Sequence, residues 1–100
     1  MRIITICGSL KFTKEMMEEA QKYSLNGFCV FTPIYPVDKN MTINKEQLQL
    51  LKKEHFKKIE LSDSILVINK DNYIGESTKL EIEYAKSLNK KIMYYTDIKE

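Results

Sequence analysis

The sequence is poor in the features that mark several large functional classes. Its 100 residues include only two cysteines and one histidine, and the formal net charge is +2. The lysines are scattered along the chain, so neither the charge nor its pattern predicts nucleic-acid binding. No apolar run approaches the roughly 20 residues of a membrane-spanning helix, and no secretory leader is recognisable. We therefore expect a cytoplasmic protein that acts neither on nucleic acid nor at a membrane.

Both cysteines, Cys7 and Cys29, fall inside apolar runs typical of strands. Buried free thiols that behave as small hydrophobic groups are the expected state. A zinc site would need more ligands at metal spacing, and the histidine, His55, is far from both cysteines in the sequence. The sequence therefore predicts no metal site, and it indicates no cofactor.

What the sequence does contain is an alternation of strand and helix patterns. Apolar, β-branched runs over 2–7, 28–32, 64–68 and 91–95 predict four strands. Between them, helical patterns run over about 13–26 and 43–61, and a third helix begins after Gly75 and ends near residue 89. Strands alternating with helices of this length predict βαβ units and a parallel sheet in a single α/β domain covering residues 1–100.

The turn after the third predicted strand is the most informative stretch. Gly75 breaks the apolar pattern, Ser77 and Thr78 supply hydroxyl groups, and Glu81 follows one turn into the next helix. The start of a helix after a strand presents backbone N–H groups and a positive dipole to an anion. The alternative is a capping box, with Thr78 as the N-cap and Glu81 bonded back to its amide.

Two other segments are expected to meet this turn, because ligands of open α/β sheets bind beyond the carboxyl ends of the strands. Gly8 and Ser9 end the first strand, and Tyr35 lies in the loop after the second. Gly-Ser at the end of a strand is also a common tight turn that needs only glycine's freedom. Tyr35 could stack on a base, or it could pack on the domain edge.

Two short motifs resemble those of the nucleoside 2-deoxyribosyltransferase family, which includes a branch of deoxynucleoside 5′-monophosphate N-glycosidases. They are Ile-Cys-Gly-Ser-Leu-Lys at residues 6–11 and Glu-Ile-Glu-Tyr-Ala at 81–85. The resemblance implies a flavodoxin-like fold with four parallel strands in the order 2-1-3-4 and helices on both faces. It also implies cleavage of the N-glycosidic bond of a nucleoside or nucleotide.

The resemblance assigns roles to individual residues. Glu81 falls on the family's nucleophile, with Glu83 as its rival if the helix phase differs. Gly8 and Ser9, and with them Gly75, Ser77 and Thr78, would hold the phosphate. Such a site is chemically sound, because a close carboxylate stabilises or traps an oxocarbenium-like transition state. Backbone N–H groups and hydroxyls suffice for the anion.

The sequence also departs from the family pattern. Lys11 stands where the monophosphate branch has an arginine, Thr5 where it has a tyrosine, and His55 where the family has an acidic residue. We expect His55 to hold a sugar hydroxyl or to protonate the leaving base, with a pKa within about one unit of ~6.5. A surface histidine is the alternative.

The family's closing C-terminal segment has little counterpart after Tyr95. We therefore expect a homodimer or larger homo-oligomer, with Met16, Met17, Phe56 or Leu48 at the interface. A non-catalytic nucleotide- or phosphosugar-binding module, or a structural subunit, remains the alternative to an enzyme.

Overall fold

The computed structural model describes residues 1–37 and 42–98, and in these residues strands and helices alternate as expected. The order is β1 (Ile3–Gly8), α1 (Thr13–Leu25), β2 (Cys29–Phe31), α2 (Lys45–Leu61), β3 (Ser64–Ile68), α3 (Glu76–Ser87), β4 (Lys91–Tyr94) and α4 (Tyr95–Ile98). Short 3₁₀ turns, Leu10–Phe12 and Lys70–Asn72, follow β1 and β3. None of the described helices has both the length and the apolar character needed to cross a bilayer.

The four strands form one parallel sheet in the order β2-β1-β3-β4, which confirms the predicted topology. The central pair is the longest, since β1 aligns with β3 from Ile4 opposite Ser64 to Gly8 opposite Ile68. The two strands are also joined where they begin, because the Ile3 amide donates a 2.8 Å hydrogen bond to the Asp63 carboxylate. The ends of β1 and β3 therefore lie side by side at the carboxyl edge of the sheet.

Helices cover both faces of the sheet, as predicted, and each face has its own core. The first core lies against α1 and contains six buried residues: Ile4, Ile6, Phe12, Met16, Leu66 and Ile68. The second lies against α2 and α3 and contains Cys7, Ile59, Ile65, Val67, Ile82 and Ala85. Side chains alternate between the faces along a strand, so neighbouring residues such as Ile6 and Cys7 belong to different cores.

Helix α2 begins with a complete capping box. The Asn44 side chain accepts a hydrogen bond from the Gln47 backbone amide, and the Gln47 side chain accepts one from the Asn44 backbone amide. Its 17 residues give a length of about 25 Å, whereas the five residues of β3 span about 17 Å. Residues 42–50 are all exposed. The first turns of α2 therefore extend past the carboxyl edge of the sheet.

Helix α3 begins earlier than the capping-box interpretation requires. Its N-cap is Gly75, without a side-chain cap, and Thr78 already lies in the first turn. The interpretation of Thr78 as N-cap is therefore wrong. The helix turns Ile82 and Ala85 towards the sheet, whereas Leu80 is 58% exposed.

Candidate active site

The Glu81 side chain lies at the carboxyl edge of the sheet, between the ends of β1 and α2. Its polar side-chain neighbours Cys7 and His55 come from those two elements. The side chain is 17% exposed, so it is largely shielded from water but still open to the crevice. Glu83, two residues further along α3, is exposed. The helix phase therefore points Glu81 into the crevice and Glu83 into solvent.

Three potentially reactive groups meet at this point: the Cys7 thiol, the His55 imidazole and the Glu81 carboxylate. The distance from Cys7 Sγ to His55 Nε2 is 3.5 Å, and that from His55 Nε2 to Glu81 Oε1 is 3.7 Å. The Cys7 thiol and the Glu81 carboxylate are also close enough for each to shift the pKa of the other. We call this group the Cys7–His55–Glu81 cluster. Its three ligand atoms all lie within 4.8 Å of one another.

Burial controls the protonation of the cluster. It raises the pKa of Glu81 to about 7, although the Cys7 hydrogen bond partly opposes this shift. Burial, helped by the positive charge of Lys58, lowers the pKa of His55 to about 4. Burial also raises the pKa of the Cys7 thiol well above its usual range. Between pH 4 and 7 the three groups are therefore mostly uncharged, and the 3.7 Å contact between His55 and Glu81 is not an ion pair there.

This result corrects the expectation that His55 titrates near its reference value. The imidazole sits between α2 and the sheet with 6% of its surface exposed, so the charged form loses most of its hydration. Near neutral pH it is an uncharged donor or acceptor of hydrogen bonds. His55 is therefore not a surface residue, and its Nδ1 atom is buried without a hydrogen-bond partner among the described residues.

The N-terminus of α3 offers free backbone donors beside Glu81. The first helical hydrogen bond runs from the Lys79 amide to the Gly75 carbonyl, so the preceding amides of α3 have no partner within the helix. Opposite them, Ser9 caps the 3₁₀ turn after β1 by accepting a 3.3 Å hydrogen bond from the Lys11 amide. A helix start with free amides and a turn that carries the Ser9 hydroxyl therefore flank one crevice, which is an arrangement suited to an anion.

The two glycines of this crevice, Gly8 and Gly75, differ in how strongly their surroundings favour glycine. A Cβ on Gly8 would lie 3.2 Å from the Ile68 Cβ and 3.3 Å from the Met16 sulfur, so the close approach of β3 and α1 favours glycine at this position. A Cβ on Gly75 would only make ordinary contacts, 3.6 Å or more from the Tyr73 ring. Gly75 also has an unstrained φ of −76°. Neither packing nor backbone conformation therefore requires glycine at position 75.

Two adjoining cavities surround Glu81 and share Gly8, Leu10, Ser77 and Glu81 in their walls. The polar one, of about 390 Å³, is completed by Ser9, Gly75, Glu76 and Thr78. The other, of about 180 Å³, is more apolar and is completed by His55 together with Pro33, Ile34, Leu48, Leu51, Lys52 and Glu54. Seven of the nine residues predicted for the site are thus brought together around one carboxylate.

The remaining two predicted site residues, Lys11 and Tyr35, do not line either cavity. The Lys11 ammonium lies 3.4 Å from the centre of the Tyr73 ring, beside the Gly75 turn. Tyr35 packs on the first core, against the α1 side of the sheet. Thr5 is also remote, since its hydroxyl bonds the Lys58 carbonyl and the Ser62 hydroxyl below the crevice.

Sequence reasoning missed two parts of the site. It treated Cys7 as inert packing, although the thiol contacts both His55 and Glu81. It also dismissed a metal site because His55 is distant in sequence, yet the fold brings the imidazole to 3.5 Å from Cys7. Topology could have indicated both the role of Cys7 and the possible metal site. Cys7 is the penultimate residue of β1, and His55 lies on the helix that crosses that strand.

Comparisons with known proteins place the fold but leave the activity open. The sequence matches none of the models of known protein families, and it matches none of the curated proteins. A conserved protein from Enterococcus faecalis V583 has a similar structure, with a TM-score of 0.64, 16% identity, and coverage of 94% of this chain and 62% of that one. A 2-desoxiribosyltransferase from Leishmania mexicana is equally similar, with a TM-score of 0.64, 16% identity, and coverage of 95% of this chain and 64% of that one. The present chain thus spans less than two thirds of either protein, and it shares their α/β, flavodoxin-like fold.

Proposed function

We propose that this protein cleaves the N-glycosidic bond of a (deoxy)nucleoside or nucleoside 5′-monophosphate, or transfers its sugar to a second base, with Glu81 as the nucleophile. The observation that carries the proposal is the position of the Glu81 carboxylate. It is open to the crevice at the carboxyl ends of β1 and β3, one helical turn from the free amides of α3. The shared fold with a 2-desoxiribosyltransferase supports the same reaction class.

In this reaction the ionised Glu81 carboxylate attacks the anomeric carbon of the sugar. The bond to the base breaks, the base leaves with the bonding electron pair and takes up a proton, and a glycosyl ester of Glu81 remains. Water, or a second base in a transferase, then displaces the carboxylate. Because the pKa of Glu81 is raised to about 7, the ionised nucleophile is the main form only above about pH 7 and its fraction falls as pH decreases.

The two cavities suit different parts of the proposed substrate. A 5′-phosphate would lie in the polar cavity, where Ser9, Ser77 and the α3 amides can donate hydrogen bonds. Ser77 and Glu81 are four residues apart, or about 6 Å along the helix axis, which leaves room for one pentose ring between phosphate and nucleophile. The base would then face the more apolar cavity, towards Ile34 and Leu51. Lys11 would reach the phosphate only by leaving the Tyr73 ring.

His55 has a supporting role in this proposal. Since its pKa is lowered to about 4, it carries no proton to give as an imidazolium ion near neutral pH. Of the two roles expected from the sequence, holding a sugar hydroxyl is the one that suits an uncharged imidazole. The leaving base would then be protonated by solvent or by a group of the substrate itself.

The test is to incubate the protein with a panel of deoxynucleosides and their 5′-monophosphates and to measure the released base. We expect Glu81→Gln to reduce release by more than about 10³-fold, because the covalent route is lost. Glu83→Gln is the matched control, because it makes the same change two residues away on the exposed side of α3. A Glu81→Gln protein with near-normal turnover would overturn the nucleophile assignment. Binding of a monophosphate without any cleavage would favour the non-catalytic binding module.

We also propose that the protein self-associates through α2. Of the four residues expected at an interface, Met16 is fully buried and Phe56 packs against Tyr84, which leaves Met17 and Leu48 at 55% and 47% exposed. Leu50, on the projecting part of α2, is 64% exposed and lies on a different side of the helix from Leu48. Burying Leu50 in a two-fold interface would remove this apolar side chain from water. Sedimentation should show a dimer at micromolar concentration that Leu50→Lys weakens, and a wild-type monomer would contradict the proposal.

A further inference from the structure

The Cys7–His55–Glu81 cluster has a property that glycosyl chemistry does not require. A nucleophilic carboxylate needs a sugar beside it, but it does not need a thiol and an imidazole nitrogen at the same point. We propose that Cys7, His55 and Glu81 form a binding site for a zinc-class divalent cation, with the fourth coordination position open to the cavity. This proposal concerns metal binding itself and does not depend on the proposed function.

The donor atoms select the class of ion. Sulfur, imidazole nitrogen and a single carboxylate are the ligands that Zn²⁺ takes in proteins, and a thiolate favours such borderline ions over the hard ions Mg²⁺ and Ca²⁺. The three residues come from different elements, β1, α2 and α3. The sheet and two packed helices therefore hold the donors in place before any ion arrives.

The spacing of the donors suits tetrahedral coordination. Zinc–ligand bonds of about 2.0–2.3 Å place neighbouring donor atoms about 3.3–3.6 Å apart around a tetrahedron. Here Cys7 Sγ and His55 Nε2 are 3.5 Å apart, and His55 Nε2 and Glu81 Oε1 are 3.7 Å apart. The third pair, Cys7 Sγ and a Glu81 carboxylate oxygen, lies within 4.8 Å. An ion could therefore sit between the three atoms after side-chain rotations that bring this pair closer.

Access and protonation are also compatible with an ion. Glu81 and His55 line the cavity of about 180 Å³, so an ion and its fourth ligand, a water molecule, can enter from that side. Coordination through Nε2 puts the imidazole proton on Nδ1, and the Cys7 thiol gives up its proton to solvent on binding. Nδ1 has no acceptor among the described residues, and such a partner usually strengthens a metal site by about 10–100-fold. The affinity should accordingly be lower than that of a structural zinc site.

The consequence for catalysis follows from the shared carboxylate. A zinc ion on Glu81 occupies the electron pair that would attack the sugar, so metal and substrate compete for this group. Zinc should then inhibit base release, and a chelator should restore it. This second effect rests on the proposed function, whereas the binding does not.

The direct experiment is a zinc titration of the full chain against a chromophoric chelator, repeated with Co²⁺ as a spectroscopic probe. We expect one equivalent of zinc and a near-ultraviolet thiolate-to-cobalt charge-transfer band. Cys7→Ser should remove the band and weaken zinc binding by at least about 100-fold. Cys29→Ser is the matched control, because Cys29 is the other free cysteine and lies outside the cluster, on β2. It should change neither readout.

Other outcomes overturn the proposal. Absence of stoichiometric binding to the wild-type chain does so directly, as does unchanged zinc affinity in Cys7→Ser or loss of the cobalt band in Cys29→Ser. If Cys7→Ser fails to fold, His55→Gln provides the same test, since it should also lose at least about 100-fold in affinity. Binding without any nucleoside cleavage would leave the metal site standing and remove the proposed function, and cleavage without metal binding would do the reverse.

Discussion

The two faces of the sheet differ in what they contribute, although both are built from the same two central strands. The face against α1 is apolar along β1 and β3, with Ile4, Ile6, Leu66 and Ile68 all within 1% of complete burial. On the face against α2 and α3, β1 presents Thr5 and Cys7, and these side chains bond Ser62 and His55. The strands of the α1 face therefore contribute mainly apolar packing, although α1 itself also buries Glu19. On the opposite face β1 itself presents polar side chains, and that face holds the candidate site.

The sharpest way to separate the faces is to shorten one side chain on each. Ile6→Ala should lower the free energy of unfolding by about 2–5 kcal/mol, because it leaves a cavity in the first core. Base release per folded molecule should stay unchanged, since Ile6 points away from the crevice. Cys7→Ala should cost only ~1 kcal/mol, the value of about one buried methylene-sized group.

Urea unfolding together with activity measurements distinguishes these outcomes. Ile6→Val is the control for the first core, with an expected cost of about 0.5–1.5 kcal/mol. A clear loss of activity per folded molecule in Ile6→Ala would contradict the idea that one face supplies stability and the other holds the site.

The second face should also make stability depend on pH. The pKa of Glu81 is about 7 in the folded state and lies near 4.5 in the unfolded chain, so the folded state binds the proton more tightly. The associated stability is fully present below about pH 4.5 and is lost as pH rises to 7. The loss due to Glu81 alone is about 3 kcal/mol, since each pKa unit corresponds to about 1.4 kcal/mol. His55 opposes it, because its pKa is lowered to about 4 in the folded state, so its contribution to stability rises between about pH 4 and pH 6.5. The comparison with Glu81→Gln isolates the Glu81 contribution.

Denaturation in urea with a chelator present, at pH 4.5 and pH 8, measures this loss. Glu81→Gln has no titrating group at this position, so its unfolding free energy should fall by about 3 kcal/mol less between the two pH values than that of the wild type. Glu83→Gln should behave like the wild type, because Glu83 is exposed. Equal pH dependence in all three proteins would show that Glu81 is not buried as the structure describes.

The smallest expected effect concerns the turn at Gly75, where glycine has no packing or conformational reason. Gly75→Asp should stabilise α3 by a few tenths of a kcal/mol, because aspartate is a better N-cap. The same carboxylate would occupy the free amides and repel a phosphate. Stability should therefore rise slightly while the binding of inorganic phosphate or of a monophosphate is lost.

Thermal unfolding with and without added phosphate reports both quantities, since a ligand that binds the folded state raises the melting temperature. Gly75→Ser is the uncharged control and should retain more of the phosphate-dependent shift. A shift in Gly75→Asp as large as in the wild type would place the anion elsewhere.

Much of this architecture could be predicted because it depends on local pattern and general topology. The β-branched runs fixed four strands, and residues 64–68 form β3 as expected. The rule that ligands bind at the carboxyl edge of such a sheet then predicted that Gly8 and Glu81 lie at one crevice. The N-cap of α3 was harder to predict, because the Thr78–Glu81 pattern is also a valid capping box and only the fold shows that the N-cap is Gly75.

The chemistry of the cluster could not be read from the sequence. Cys7 and His55 are 48 residues apart, and their contact depends on how α2 lies across β1. The pKa of His55 depends on how much water reaches the imidazole, which is a property of packing rather than of spacing. The sequence thus predicts which residues approach the crevice, whereas their protonation states follow from the structure.

The projecting part of α2 has a consequence for how the protein can change over evolutionary time. Its residues 45–50 are exposed, and Leu48 also forms part of the crevice wall. A substitution on this part of the helix leaves both cores intact, so it should be tolerated at little cost in folding. Because the wall is helical, a new side chain would enter the crevice without a change in backbone shape. Substrate preference could therefore drift by single substitutions here, while Glu81 and the sheet beneath it stay constant.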